Sequence, residues 1–363
     1  MNKILKHVKN AFRSVVIAVA APLLTLASCD SNPIYDYEGD CTVTYRLKFR
    51  YDLNLKWADA FNNEVRSVRL YAFGEDGVLV REFTEERESQ LADPSYAMTL
   101  DLPAGRYRLL AWCGIDNPGA AEEYFAVPSA TPGVTRIEEL TCRINRTYPA
   151  PDSALCDAKR LSFMFHGDLE VELPADEDGG EYEYTMHLTK DTNHIRVMLQ
   201  HLSGEDIDDR EFDFRIEDAN GFYAFDNALL PDDTLTYTPY EQVTGQAGIV
   251  RDDAPRTRGL IYAKMPIVDF MVGRVMADHY KDMILTITAR EDGRVIAKIP
   301  LIQYALLGKP YYEEQYGHKM DEQEFLDRQD EYVMTFFLDQ NLRWITTVVM
   351  IESWRIVLHD YDL

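Results

Sequence analysis

The sequence predicts an all-β chain organised as two antiparallel β-sandwich domains in tandem. Three observations carry that expectation. Tyrosine and phenylalanine, 22 and 16 of 363 residues, stand mostly in alternating rather than helical contexts. Short alternating runs recur with turn signals between them, the pattern of a sandwich. The chain is also longer than one compact β-domain needs, which makes two domains the default.

The first element is a leader. Lys3, Lys6, Lys9 and Arg13 form a basic region, and residues 15–26 an apolar stretch too short and too Ala-rich for a good spanning helix. Leu26, Ala27, Ser28 and Cys29 then form a small-residue cleavage site ending in cysteine, the arrangement a bacterial lipoprotein signal peptidase reads. Cleavage would remove residues 1–28 and leave Cys29 at the new N-terminus, carrying thioether and amide acyl chains. At roughly 0.8 kcal/mol per buried methylene, several chains hold a protein to a membrane where one does not. Residues 29–40 read as an acidic tether.

The clearest strand follows. Val43, Tyr45, Leu47, Phe49 and Tyr51 alternate with Thr44, Arg46, Lys48 and Arg50, so one face is apolar. Residues 52–61 read as a short helix or an irregular loop. Strands at 65–73 and 78–83 flank Gly74, Glu75, Asp76 and Gly77, an Asp-Gly hairpin signal. Tyr96, Met98, Leu100 and Leu102 alternate before a Pro-Ala-Gly turn, and Tyr107, Leu109, Ala111 and Cys113 after it. The Pro-, Ala- and Thr-rich stretch 117–158 holds the expected boundary, giving an N-terminal sandwich over 41–155 and a C-terminal one over 156–363.

In the second half, alternation recurs at Tyr182 to Leu188, Ile195 to His201 and Phe212 to Ile216. A second Asp-Gly hairpin joins 283–288 to 295–301. MDEQEFLDRQ at 320–329 fits a short amphipathic helix, and strands at 332–338, 344–351 and 354–358 close the chain.

The formal charge is −25, from 37 basic and 62 acidic residues, and grows more negative by four once the leader's basic residues are gone. So acidic a body is repelled by phosphate backbones, which excludes nucleic acid as a partner class. It is also repelled by anionic membrane surfaces, leaving the acyl chains to hold it there. Besides Cys29 there are four cysteines, Cys41, Cys113, Cys142 and Cys156, with no C-x-x-C spacing. Cys142 and Cys156, close together around a Pro-containing turn, are the candidate disulfide, with buried free thiols the commonest alternative.

No nucleophile motif, metal signature, P-loop or dinucleotide fingerprint occurs, so the reading is a non-enzyme with no cofactor and no metal. His187, His194 and His201 lie in or beside strand patterns without a third ligand at readable spacing. Residues 176–180 lack the ligand order of a calcium loop. Trp57, Trp112, Trp344 and Trp354 could stack sugars if exposed, but all except one sit in or beside apolar strand patterns.

Several segments together resemble the Bacteroidales fimbrial anchor subunits, the FimB-like proteins. They are CTVTYRLKFRYD at 41–52 with ADAF at 58–61, VRLYAF at 68–73, LDLPAGRY at 100–107 and AWCG at 111–114. In the second half they are FHGDLE at 165–170, NHIRV at 193–197, QHLSG at 200–204, MADH at 276–279, DRQDEY at 327–332, WRIVL at 354–358 and YDL at 361–363. The resemblance implies two transthyretin-like sandwiches in an outer-membrane lipoprotein at the base of a fimbria. Its partners would be fimbrial shaft subunits, and the membrane through the N-terminal lipid. Strand or edge pairing would join the first shaft subunit, with the C-terminal region 344–363 as the candidate surface: Trp344, Trp354, Arg355, Ile356, Val357 and Leu358. The competing reading is a surface lipoprotein that binds glycan or peptide. An exposed aromatic platform over a cleft would favour it.

Overall fold

A computed structural model describes residues 43–116, 124–151, 153–157, 161–175, 179–250, 260–329, 331–351 and 354–359. The alternation at the start of the body becomes β1 (Val43–Arg50), and Tyr45, Leu47, Phe49 and Tyr51 are all buried. It is followed by β2 (Val68–Gly74), β3 (Leu79–Glu85), β4 (Met98–Leu100) and β5 (Gly105–Cys113). Four short strands come next: β6 (Phe125–Ala126), β7 (Thr141–Ile144), β8 (Thr147–Ala150) and β9 (Ser153–Asp157). Then come β10 (Phe165–Leu173), β11 (Gly180–Lys190), β12 (Thr192–His201), β13 (Phe212–Asp218), β14 (Phe222–Ala224) and β15 (Leu235–Thr238). The rest are β16 (Glu241–Val250), β17 (Leu260–Gly273), β18 (Ile284–Ala289), β19 (Val295–Pro300), β20 (Glu331–Leu338), β21 (Trp344–Ile351) and β22 (Trp354–His359). The helices are short: α1 (Phe61–Glu64), α2 (Glu88–Leu91), α3 (Leu301–Leu306), α4 (Lys309–Tyr316) and α5 (Glu322–Arg328).

The strands form a seven-stranded sheet in the order β3-β2-β5-β10-β11-β1-β4 and a six-stranded sheet in the order β16-β17-β12-β20-β21-β22. A second six-stranded sheet runs β19-β18-β13-β15-β9-β8, and β14-β7-β6 make a small fourth sheet. Segments Thr44–Ala175 and Glu181–Leu363 together make one compact unit. Both Asp-Gly hairpins form. Gly77, at φ 73°, takes the left-handed conformation the β2–β3 turn requires, and the Gly74 N–H donates to Val78 O at 3.0 Å.

Several pairs depart from the antiparallel expectation, two of them in the six-stranded sheets. β12 runs parallel to β20, and β9 parallel to β15. Long intervening segments permit both, since a parallel pair needs a crossover and not a tight turn.

The expected division at 155/156 does not match the sheets, because it falls inside β9. The hairpin β10–β11, assigned to the second domain, lies in the first sheet, where β10 pairs with β5 from Phe165↔Cys113 to Leu173↔Gly105. In exchange, β9 and β7 pair with β15 and β14. Alternation marks which residues are strands and which face they present, but it carries no information about the partner strand.

The main core joins inward residues of both six-stranded sheets, such as Val197, Phe270 and Phe336 with Phe214, Tyr237 and Leu285. Tyr71, Phe73, Leu110 and Trp112 add one face of the seven-stranded sheet to it. Leu70, Ala72, Leu109 and Ala111, on the opposite face of the same strands, are also buried. Burial on both faces explains why β5 reads Leu-Leu-Ala-Trp-Cys without a polar residue. The helix at 320–329 forms as α5, where the Asp321 side chain accepts the Glu324 N–H at 2.7 Å and Phe325 and Leu326 are buried. Among the described residues no helix is long and apolar enough to cross a membrane.

Candidate functional site

Cys29 and the tether fall outside the described residues. The C-terminal candidates fall into two groups. Trp354, Arg355, Ile356, Val357 and Leu358 lie in β22, the last strand of its sheet, which pairs only with β21 in a register from Ile351↔Trp354 to Thr346↔His359. Among the described residues its outer edge has no partner strand, and it there offers main-chain donors and acceptors to an incoming one. Trp344 is different: its ring sits edge-on to Tyr304 and Phe336, with centroids 5.9 and 6.3 Å away, and packs against the core. It thus braces the start of β21 against the core.

The candidate disulfide is not formed. Cys142 is a buried free thiol whose Sγ lies 3.6 Å from Met164 Sδ, and burial pushes its pKa well up. Cys142 sits in β7 of the small sheet, and Cys156 in β9 of a different one. Proximity in sequence around a turn did not become proximity of sulfurs. Cys113 is likewise a buried free thiol.

The histidines are absorbed into ion pairs. His194 Nε2 lies 2.9 Å from Asp269 Oδ1 and 3.0 Å from the Tyr240 hydroxyl, and Arg196 shares that carboxylate. His201 Nδ1 lies 2.7 Å from Ser203 Oγ. Among the described residues no three His, Cys, Asp or Glu side chains converge on a metal position.

A buried polar centre lies between β11 and the α5 helix. Asp191, fully buried, accepts Asn227 Nδ2 at 2.8 Å, and Arg274 Nε stands 3.8 Å away. Arg274 grips Asp327 through two bonds of 2.8 and 2.7 Å and donates to Asn227 O at 3.0 Å. Burial raises the Asp191 pKa to about 7, against the pull of Arg274 and Asn227. Its groups are largely buried and bonded to one another, which holds strands and helix together.

The remaining constellation surrounds Trp57, the one tryptophan outside an apolar strand pattern. Trp112 is 1% exposed, but Trp57 is 45% exposed. Its backbone adopts φ 52°, a left-handed conformation costing a bulky residue on the order of 1–3 kcal/mol. The loop 51–60 enforces it. Asn54, itself buried, donates to Tyr51 O at 3.0 Å and Ala58 O at 2.7 Å and accepts the Lys56 N–H at 3.1 Å. Asp59 Oδ1 accepts the N–H groups of Tyr51 and Phe61. Of the two expectations for 52–61, the irregular loop is the one found, with α1 beginning only at Phe61.

The indole is held as firmly as the backbone. Its Nε1 donates to the Tyr312 hydroxyl at 2.9 Å, and that hydroxyl donates to Leu55 O at 3.0 Å. The Arg328 guanidinium lies 3.8 Å from the ring centroid, itself bonded to Glu324 at 3.0 Å, and the His318 ring meets the indole edge-on. Beside the indole a cleft of about 320 Å³ is lined by Asp52, Leu53, Trp57, His187, Thr189 and Arg328. There His187 Nδ1 donates to Asp52 Oδ1 at 2.8 Å. Burial opposes the Asp52 charge, but His187 and Arg50 outweigh it and hold the carboxyl below its ordinary pKa. Sequence reasoning weighed Trp57 and His187 separately. The available signal was Trp57's position in a stretch without periodicity.

Comparison with known proteins follows the fold. A family model for the fimbrillin-A associated anchor proteins Mfa1 and Mfa2 matches residues 37–360. The minor fimbrium anchoring subunit Mfa2 of Porphyromonas gingivalis is 24% identical over 252 residues, 68% of this chain and 72% of that protein. Its crystal structure has a TM-score of 0.60 at 16% identity, covering 88% of this chain and 100% of that one, a likeness of fold. A candidate adhesin of Bacteroides thetaiotaomicron has a TM-score of 0.72 at 31% identity over 89% of this chain and 99% of its own. A candidate polysaccharide-binding protein of the same organism has a TM-score of 0.70 at 28% identity, over 88% and 100%. With the β-sandwich architecture and a match over nearly its whole length, the chain belongs to the Mfa2 family of fimbrillin-A associated anchor proteins, structural subunits with a fimbrial anchor or adhesion role.

Proposed function

We propose that this protein is an outer-membrane lipoprotein that fixes the base of a fimbria to the cell, held by acyl chains on Cys29 and joined to the first shaft subunit by strand pairing at β22. The observation that carries the reading is the position of β22 at the end of a six-stranded sheet, hydrogen-bonded on one side only among the described residues. Strand addition at such an edge gains several main-chain hydrogen bonds at once and needs no pocket. The basic, apolar and small-residue order ending at Cys29 supports the membrane half, and the acidity of the body leaves that lipid as the attachment. The outer membrane is the address implied by family resemblance.

The test is fimbrial antigen on cells against antigen in the medium. Deleting the gene should shed fimbriae into the medium, and Cys29→Ala should copy the effect. Removing residues 354–363 should abolish attachment while leaving the lipid in place. Fimbriae retained on cells that lack the gene would sink the anchor reading, and retention after the truncation would sink the β22 junction alone.

A further inference from the structure

The cleft beside Trp57 has no part in membrane attachment or strand pairing, yet much of the surrounding loop serves to build it. Asn54 and Asp59 bind backbone groups throughout 51–61, and the indole carries a hydrogen bond at one edge and a guanidinium against its ring. A surface tryptophan left to itself would take relaxed backbone and fold its ring onto the nearest apolar surface. This one is held in left-handed backbone with nearly half its surface open. Rigid presentation of an aromatic ring reduces the ordering cost of binding, and strain maintained by surrounding contacts is a mark of function.

The lining indicates the ligand. Its charges nearly balance: Asp52 is flanked by Arg50 and paired with His187, and Arg328 is neutralised by Glu324. A balanced lining has no strong preference for an anion or a cation. The Arg328 guanidinium already at the indole ring further disfavours a second cation there. What remains unspent is polar but uncharged chemistry. Asp52 Oδ2, 3.5 Å from Arg50 Nε, has lone-pair capacity left to accept from a hydroxyl, His187 is exposed with its Nε2 on the far side of the ring, and Thr189 lines the wall. A flat ring for C–H contacts beside adjacent acceptors and donors for hydroxyls matches a pyranose. A volume of about 320 Å³ is at the small end of ligand pockets.

We propose that this cleft is a saccharide subsite that takes one neutral pyranose residue, stacked on Trp57 and hydrogen-bonded by Asp52 and His187. It would give the subunit a carbohydrate contact in addition to its place in the fimbria. The inference does not rest on the anchor reading, since one is measured on purified protein and the other on cells.

The experiment is calorimetric titration of the full chain, purified in detergent, with glucose, galactose, mannose, N-acetylglucosamine and their trisaccharides. At least one should bind with millimolar or tighter affinity. Trp57→Ala should weaken that binding by about tenfold or more. Trp57→Phe should retain part of it, and His187→Ala should weaken it with an unchanged melting temperature. If Trp57→Ala fails to fold, the exposed His187 carries the same test. Absence of binding by every saccharide overturns the proposal, as does binding indifferent to both Trp57→Ala and His187→Ala. Binding of a lysine-rich peptide that is lost in the Trp57 variant, with no saccharide binding, would assign the cleft to a cation and also overturn it.

Discussion

His166 on β10 donates its Nε2 proton to the carbonyl oxygen of Phe225, 2.9 Å away, from a ring only 6% exposed. The bond ties the seven-stranded sheet to the turn after β14, and the imidazole stands beside Trp112, its register partner on β5. Burial lowers the His166 pKa from 6.5 to about 4, although the bond to Phe225 and nearby Asp168 pull upward. The folded state therefore prefers the neutral ring more strongly than the unfolded chain does.

Acid should expose that preference. His166 contributes stability that is fully present above pH 6.5 and is lost as pH falls through about 4. The loss is on the order of 3 kcal/mol. His166→Gln, which keeps a donor for Phe225, should flatten that part of the stability profile. Denaturant midpoints at intervals between pH 7 and pH 4 provide the check, and an unchanged profile in the variant would refute the assignment.

Asp191 should act with the opposite sign. Its folded pKa, about 7, lies above the ordinary 3.8, so its contribution is complete below pH 3.8 and is lost as pH rises through 7. Asp191→Asn should match the wild type near pH 4 and melt a few degrees higher at pH 8. A variant that melts lower at pH 8 would show that the ion pair with Arg274 outweighs burial.

Asn54→Ala should remove the bonds that set the 51–60 loop, among them those to the carbonyls of Tyr51 and Ala58. A loss of about 1–3 kcal/mol is expected, read as a lower denaturant midpoint at constant slope. The Trp57 emission should also shift, because the indole loses the backbone that holds it.

Cys142 should resist modification. A buried thiol with a raised pKa presents almost no thiolate, so maleimide should label Cys142 only at the rate of unfolding. Rapid labelling of Cys142 in the native state, detected by peptide mass, would contradict its placement.

How much of this was legible in sequence depends on the kind of information each feature uses. The buried face of β1, both Asp-Gly hairpins and α5 follow from local pattern: Tyr45 to Tyr51 alternate, Gly77 supplies a positive φ, and Asp321 caps Phe325 and Leu326. Pairing is not local. Nothing in Phe165 to Leu173 indicates that β5 is its neighbour, and an apolar-polar alternation reads the same beside any partner. The same gap misdirected the cysteines, where the approach of Cys142 to Met164 depends on sheet assembly. The Trp57 cleft was harder still, because Asp52, His187 and Arg328 come from widely separated segments. Only the lack of periodicity around Trp57 distinguished that loop from strand.

The return of β10–β11 to the seven-stranded sheet has a mechanical consequence. The chain leaves that sheet after β5, visits the small sheet and one six-stranded sheet, and comes back before leaving again through β12. Three crossings therefore link that sheet to the rest of the fold, and tension divides over them. Cutting or extending one crossing leaves the others taut, so the protein is cross-braced and not hinged, a construction suited to a part that stays in place while a long lever pulls on it.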